Sequence, residues 1–211
     1  MMKTKALLLG TAIATAVSAC ATTTSPTGRT QYVGAVSQEQ LNQLGEQAFL
    51  QAKSKTPQSR DGRQNAYVGC VVDAIVRQLP PQWRQLRWEE ALFADQETNA
   101  WALPGGKVGV NDGIFKAAKN QDQLAGVIAH EIGHVVSRHH DERITRQALA
   151  SGVLQVGGAV AGARYGEGVG SAVTQGGGIF AQAGFLLPNS RAQELEADIV
   201  GQELMAKAGF D

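Results

Sequence analysis

Apolar residues recur every three or four positions in four stretches of the chain, which is the spacing of amphipathic helices. The first stretch follows Ser37, a residue type favoured at helix N-caps, and the second runs from Arg63 to Leu79, where two prolines end it. The third runs from Gln121 to about Ile144, and the fourth lies between Ser190, another N-cap type, and Gly209. We therefore expect four main helices.

A different pattern, typical of short strands, lies between the second and third helices. Residues Leu86 to Ala94 alternate in polarity, and Ala100 to Val110 contain two short strands around Pro104-Gly105-Gly106. Together these strands predict a small β-sheet. With the helices, they indicate a helix-rich α+β fold, and the 211 residues suit one globular domain with appendages.

The N-terminus has the parts of an export signal. Lys3 and Lys5 precede an apolar run of about 12 residues, which is well short of the roughly 20 that a membrane-spanning helix needs. The run ends in Val17-Ser18-Ala19-Cys20, which resembles the bacterial lipobox, whose cysteine is acylated and becomes the new N-terminus. We expect residues 1–19 to be a lipoprotein signal peptide and Cys20 to carry lipid. The alternative is an ordinary secretory signal cut near Ala19 or Ala21, with Cys20 incidental.

The residue after the cysteine bears on location. Ala21, rather than Asp, follows Cys20, and in lipoproteins of Gram-negative bacteria this difference points to the outer membrane. The expected location is the cell envelope, on the outer membrane and facing the periplasm. The formal net charge of zero gives no indication of a nucleic-acid partner. Cys70 is the other cysteine, and we expect it to be buried in the second helix.

Composition divides the rest of the chain. Residues 20–36 form the expected tether, and Ala21 to Arg29 are small, polar and proline-containing, which predicts a flexible segment. The folded domain is expected over residues 37–211. Within it, residues 152–184 are a Gly/Ala-rich insertion, for which small-residue helices, a mobile flap over the site and a membrane-touching loop are the alternatives.

The third helix carries the run HEIGH, in which His130 and His134 are four residues apart. This spacing places both imidazoles on one helical face, about one turn apart, where both can reach a single zinc ion. Glu131 lies beside them and can act as a general base towards an attacking water. The pattern therefore predicts a metalloprotease site with one Zn²⁺ per chain.

A catalytic zinc site usually has three protein ligands, so a third ligand is required. His139 and His140, the remaining histidines, are too far along the helix to join the same tetrahedron and are expected at the helix end or behind the ligands. The run ELEAD offers carboxylates instead. In it, Glu194 is the expected zinc ligand, and Asp198, one turn on, is expected to hold a ligand imidazole by a hydrogen bond. Glu196 is expected to face roughly the opposite way.

Three segments resemble a known family: NAWALPGGKVGV from Asn99, AHEIGHVVSRHH from Ala129 and SRAQELEAD from Ser190. Together they are similar to the HtpX-like and CAAX-prenyl-endopeptidase zinc metalloproteases of gluzincin type, especially the soluble envelope lipoprotein branch. The resemblance implies a zincin-like domain with an HExxH active-site helix. It assigns the zinc ligands to His130, His134 and Glu194 and the catalytic base to Glu131.

The resemblance also bears on substrates and on the end of the chain. The family's strand before the active-site helix corresponds to Ala100, Trp101, Ala102 and Leu103, which would pair with an extended substrate. A structural hairpin is the alternative, and Trp101 is expected in the core. Related proteins usually continue beyond Asp211 with further helical sequence, so an incomplete C-terminus is one interpretation.

We expect a zinc metalloendopeptidase that hydrolyses peptide bonds in misfolded or stalled envelope proteins. The first alternative is a non-catalytic envelope chaperone or assembly factor that retains the zinc site. Glu131 argues against it, because a binding protein has no need for a base beside the metal. The second alternative is a purely structural zinc site, which would require a fourth protein ligand.

Overall fold

The predicted helices and the predicted small sheet are both present. In the computed structural model, which describes residues 21–149 and 189–211, the helices are α1 (Gln38–Lys55), α2 (Gly62–Val76), α3 (Pro81–Arg84), α4 (Gln121–Val136), α5 (139–149) and α6 (Arg191–Ala208). The signal segment 1–19, Cys20 and the Gly/Ala-rich segment 152–184 lie outside the described residues. A helix-rich α+β fold is therefore confirmed.

Helix α2 shows two departures from the sequence prediction. It ends at Val76 rather than Leu79, because the N–H groups of Gln78 and Leu79 turn back to carbonyls three residues earlier, just before the prolines. Cys70 is exposed, not buried as expected. The buried face of the helix consists of Val68, Val71, Val72 and Ile75, and Cys70 lies off this face.

The sheet contains β3 (Glu89–Phe93), β4 (Ala100–Leu103) and β5 (Lys107–Asn111) in the order β3-β5-β4. Strands β3 and β5 are parallel, and β4 is antiparallel to β5. Gly105 and Gly106 lie between β4 and β5 with φ of 85° and 78°, a region that other residue types rarely adopt. Helix α4 contacts β4, so the sheet supports the helix that carries the HEIGH run.

The main core lies where α2, the sheet, α4 and α6 meet. Its fully buried residues include Ile75, Val108, Ile128 and Ile132. A smaller cluster of Phe49, Ala91 and Phe93 fills the space between α1 and the sheet. Burial of side chains of this size contributes roughly 1.5–3 kcal/mol each, so the core holds α4 and α6 firmly in place.

The prediction of one helix from Gln121 to about Ile144 is wrong in one respect, because the helix is interrupted at Ser137 and Arg138. Arg138 has a φ of 56°, a left-handed conformation that interrupts the helical hydrogen-bond pattern. The N–H groups of Ser137 and Arg138 donate to Gly133 and Val135, which closes the last turn of α4. A new helix, α5, then begins at residue 139.

The expectation of a flexible segment from Ala21 to Arg29 is also wrong. Strands β1 (Ala21–Thr24) and β2 (Thr30–Val33) pair in an antiparallel hairpin. Its turn is closed by the Ser25 N–H, which donates to the Arg29 carbonyl at 2.8 Å. The threonines that suggested a polar tether are β-branched, and they favour the extended backbone of a strand.

Internal contacts divide the chain into two units. One contains, among the described residues, 21–24, 30–37 and 141–149. In this unit the Gly34 N–H donates to Asp141 Oδ1 at 3.0 Å, and the Ala35 N–H donates to Thr145 Oγ1 at 3.1 Å. The other contains residues 25–29, 38–140 and 189–211, which include the three-stranded sheet and the HEIGH run.

Within residues 21–149 and 189–211, every helix is too short or too polar to span a membrane.

Candidate metal centre

Helix α4 presents two histidines from one face. Asn120 caps its N-terminus by accepting a hydrogen bond from the Gln123 N–H at 2.9 Å. His130 and His134 follow three turns further on, with ring centroids 4.8 Å apart. His134 is buried and His130 is partly exposed, so the pair has one side in the protein and one side open to solvent. This is the arrangement that the HEIGH spacing predicts.

Helix α6 carries the carboxylates of the candidate site. Ser190 and Gln193 form a capping box, in which each side chain accepts a hydrogen bond from the other's backbone N–H. The cap fixes the start of the helix and places Glu194 in its first turn, where the helix dipole favours a negative charge. Asp198 lies one turn further on the same side.

Two glycines allow α4 and α6 to approach closely. A Cβ atom on Gly133 would lie 2.8 Å from the Ala197 carbonyl oxygen, and one on Gly201 would lie 3.0 Å from the His130 backbone nitrogen. A methyl group at either position would press on backbone atoms of the other helix, so glycine permits this close approach. Because Ala197 lies within the ELEAD run, the contact brings that run against the histidines.

Three potential ligand groups, two imidazoles and one carboxylate, converge between the helices. The Nε2 atoms of His130 and His134 are 3.1 Å apart. Glu194 Oε2 is 3.3 Å from His130 Nε2, and Glu194 Oε1 is 3.7 Å from His134 Nε2. Ligands at 2.0–2.2 Å around a tetrahedral zinc would be roughly 3.4 Å from one another. The separations of these three residues therefore fit zinc.

The hydrogen bond between His130 and Asp198 leaves the lone pair on His130 Nε2 available. His130 Nδ1 is 2.8 Å from Asp198 Oδ1, and the proton lies on Nδ1 because a carboxylate can only accept. In the neutral ring Nε2 is then unprotonated and available to a metal. Asp198 thus lies behind His130, a candidate ligand, where a carboxylate can fix the orientation of the ring.

Glu131 is next to His130 on α4 and is partly buried. Its position beside the first histidine gives the site a carboxylate in addition to the three ligand candidates. A carboxylate at this place can accept a proton from a water that attacks a carbonyl. The site therefore combines a possible metal with a possible base.

His139 lies behind the candidate ligands, which is one of the two places expected for it, but the sequence did not indicate which ligand it contacts. Because the chain turns at Arg138, His139 Nδ1 comes within 2.7 Å of His134 Nδ1. His139 is fully buried, and its Nε2 lies 3.0 Å from Glu196 Oε2. As the sequence predicted, His139 is not among the three candidate ligands. It contacts one of them, His134.

Glu196 faces away from the candidate ligand atoms, as expected, but it is buried and its carboxylate accepts several hydrogen bonds. Its carboxylate accepts hydrogen bonds from Thr27 Oγ1 at 2.6 Å and from Arg29 Nη2 at 2.8 Å, in addition to His139. Burial alone would raise the pKa of Glu196, but the hydrogen bonds from His139, Ser25, Thr27 and Arg29 outweigh it and lower the pKa to about 2. Glu196 is therefore ionised.

The expected substrate strand, Ala100 to Leu103, is β4, which pairs with β5 on one side and is an edge of the described sheet. Ala100 and Ala102 are buried in the core beside α4. Trp101 stacks on Phe93 at 5.9 Å, and this packing agrees with the core position expected for it. The main chain of β4, rather than its side chains, is the part that could contact a peptide.

Known proteins similar to this chain include several that are named as proteases. Mitochondrial metalloendopeptidase OMA1 of Schizosaccharomyces pombe is 38% identical over 152 residues, which cover 69% of this chain and 40% of that protein. The putative beta-barrel assembly-enhancing protease of Vibrio cholerae is 35% identical over 125 residues, 57% of this chain and 25% of that protein. The beta-barrel assembly-enhancing protease of Escherichia coli is 32% identical over 122 residues, also 57% and 25%. The chain thus spans between a quarter and two fifths of the length of these relatives.

Residues 62–211 match the family model of peptidase family M48. This range contains β4, the HEIGH run and the Glu194–Asp198 run. The match confirms the resemblance to HtpX-like metalloproteases that these segments suggested. The chain belongs to peptidase family M48, a family of zinc metalloproteases.

Proposed function

We propose that this protein is a zinc-dependent endopeptidase in which His130, His134 and Glu194 hold one Zn²⁺ per chain. The observation that carries the proposal is the convergence of two imidazole nitrogens and a carboxylate at mutual distances of 3.1, 3.3 and 3.7 Å. Family membership supports it, since M48 peptidases are zinc metalloproteases. A zinc ion held by these three residues would polarise the carbonyl of the bond to be cleaved and stabilise the charge that develops on its oxygen.

The reaction requires proton transfers that zinc does not perform. Glu131 accepts the proton of the attacking water and then donates it to the nitrogen of the leaving amine. Asp198 holds His130 with its Nδ1–H directed away from the site, so that Nε2 remains a ligand. The partial exposure of His130 leaves the open side through which a peptide can approach.

We place substrate binding on the main chain of β4, from Ala100 to Leu103. An extended peptide added to this edge would hydrogen-bond to main-chain groups and would therefore be accepted with little dependence on its sequence. Broad acceptance suits a protease that removes misfolded or stalled envelope proteins. The names of the bacterial relatives, which are beta-barrel assembly-enhancing proteases, support this class of substrate.

We further propose that the protein is attached by lipid at Cys20 to the outer membrane and faces the periplasm. The support is the run Val17-Ser18-Ala19-Cys20 at the end of a signal-like segment. Metabolic labelling with a radioactive fatty acid should mark the wild type and not Cys20→Ser. Equal labelling of both would show that lipid is attached elsewhere.

The test of the catalytic assignment is casein cleavage by the purified zinc-loaded protein, with the bound zinc measured in the same samples. The wild type should cleave, whereas Glu131→Gln should bind one zinc and not cleave, because the amide cannot accept the proton. Glu203→Gln is the matched control, since Glu203 is on the exposed end of α6 and pairs with Lys207. It should behave as wild type.

Two results would contradict the proposal. Cleavage by Glu131→Gln at the wild-type rate would remove Glu131 from the mechanism. Failure of the wild type to cleave any unfolded protein, despite one bound zinc, would favour the alternative of a non-catalytic envelope chaperone or assembly factor.

A further inference from the structure

The two histidine ligands have different supports on their Nδ1 side. His130 is held by Asp198, a partly exposed carboxylate on α6. His134 is held by another histidine, His139, at 2.7 Å, and neutral imidazoles can play either role in such a hydrogen bond. What decides the direction of the hydrogen bond between the two rings is therefore the partner on the far side of His139.

That partner is Glu196, at 3.0 Å from His139 Nε2. A carboxylate cannot donate, so the proton of His139 must lie on Nε2, and in the neutral ring Nδ1 is then an acceptor. It accepts the hydrogen bond of the His134 Nδ1–H. The His134 proton is thus held on Nδ1, and Nε2 keeps the lone pair that a metal needs.

The carboxylate of Glu196 is itself fixed. The Arg29 guanidinium donates to Oε2 through Nε at 3.1 Å and Nη2 at 2.8 Å, and the Thr27 hydroxyl donates to Oε1 at 2.6 Å. The side chain of Glu196 is only 2% exposed, and His139 is fully buried. Buried charged groups with several hydrogen bonds have few alternative positions, so this chain of contacts is rigid.

We propose that His139 and Glu196 are positioning residues of the metal centre, which fix the tautomer and the orientation of His134 as a zinc ligand. The Thr27 and Arg29 contacts extend this support to the turn between β1 and β2. None of these four residues contacts substrate in the proposal, and none of them is a zinc ligand. The proposal rests on the proposed function only in taking zinc as the metal of this site.

The test is zinc affinity, measured by competition with a chelating dye, for the wild type, His139→Phe, His139→Asn and Lys107→Met. The phenyl group keeps a flat aromatic ring at this position, somewhat larger than the imidazole, but offers His134 no acceptor. The asparagine amide places a carbonyl oxygen near the position of the lost Nδ1 acceptor. Lys107→Met is the stability control, because Lys107 is a buried cation whose ion pairs are with Glu46 and Glu89.

We expect His139→Phe to weaken zinc binding about 10- to 100-fold, the usual effect of removing a hydrogen-bond partner behind a ligand. His139→Asn should recover most of the affinity. Lys107→Met should lower the thermal midpoint but leave the zinc affinity within about twofold of wild type, because it is not part of the metal-site support. With Co²⁺ in place of zinc, the visible absorption of His139→Phe should shift in energy or intensity, and that of His139→Asn should be close to wild type.

Wild-type zinc affinity in a folded His139→Phe protein would overturn the proposal, as would a loss in Lys107→Met equal to that in His139→Phe. If His139→Phe does not fold, Glu196→Gln gives the answer, because the amide can donate to His139 and release the constraint on its tautomer. A weakened affinity in that variant supports the proposal, and an unchanged affinity refutes it. Failure of the wild type to bind zinc would instead refute the proposed function.

Discussion

The contact between α4 and α6 at Gly133 can be tested by adding one methyl group. In Gly133→Ala the new Cβ would lie 2.8 Å from the Ala197 carbonyl oxygen, a backbone atom that cannot move alone. Ordinary van der Waals contact begins near 3.4 Å, so the helices must separate by roughly 0.6 Å. Overpacking of this kind costs about 1–3 kcal/mol. Without the clash, alanine in a helix interior would stabilise by about 1 kcal/mol relative to glycine. The contact therefore decides the sign of the effect.

Gly126→Ala is the matched control on the same helix. Its Cβ would meet Met205 Sδ at 3.7 Å, an ordinary contact with a flexible side chain, so this substitution should stabilise the protein by up to about 1 kcal/mol. The free energy of unfolding would be obtained for both variants from urea denaturation of the apo protein. Gly133→Ala should also bind zinc more weakly, because the separation moves Glu194 away from the histidines. A Gly133→Ala variant as stable as Gly126→Ala, with wild-type zinc affinity, would refute this account of the helix contact.

Three further predictions concern other parts of the molecule. Asp198→Asn should weaken zinc binding about 10- to 100-fold in a chelator competition, because the amide no longer requires the proton of His130 to lie on Nδ1; wild-type affinity would contradict this. Phe49→Ala should lower the free energy of unfolding by about 3–5 kcal/mol in urea denaturation without changing zinc affinity, since Phe49 is fully buried in the cluster between α1 and the sheet; a loss below 1 kcal/mol would contradict it. The pKa of Glu196 is lowered from its ordinary 4.5 to about 2, so its ionised form stabilises the apo protein above pH 4.5, and this contribution is lost as the pH falls towards 2. Glu196→Gln should therefore cost about 1–3 kcal/mol at pH 7 and less at pH 3 in urea denaturation, and an equal cost at both pH values would count against this assignment.

The parts of the fold that could be predicted from the sequence are those set by local patterns. The repeat of Val68, Val71, Val72 and Ile75 marks one buried face of α2 without reference to the rest of the chain. The cap at Ser190 likewise acts within one turn, which is why α6 begins where the sequence indicates. The spacing of the HEIGH run is also local, and it places both histidines on one face of α4. The candidate ligands His130, His134 and Glu194 follow from these two helices.

The parts that could not be predicted depend on contacts distant in sequence. The helical pattern continues through Ser137 and Arg138, and nothing local marks the left-handed residue that turns His139 back towards His134. The sequence predicts that Glu196 faces away from the candidate ligands. It does not indicate the hydrogen-bond partners of Glu196, because Thr27 and Arg29 are about 170 residues away in the chain. The hairpin of β1 and β2 could not be predicted, because threonine is polar enough for a flexible tether and, as a β-branched residue, is also common in strands.

The most direct test of the central claim is anomalous X-ray diffraction at the zinc absorption edge from crystals of the zinc-loaded protein. The account predicts one zinc peak per chain, about 2.0–2.2 Å from Nε2 of His130, Nε2 of His134 and a carboxylate oxygen of Glu194. A peak held by other residues, or full zinc loading with no peak between α4 and α6, would contradict it.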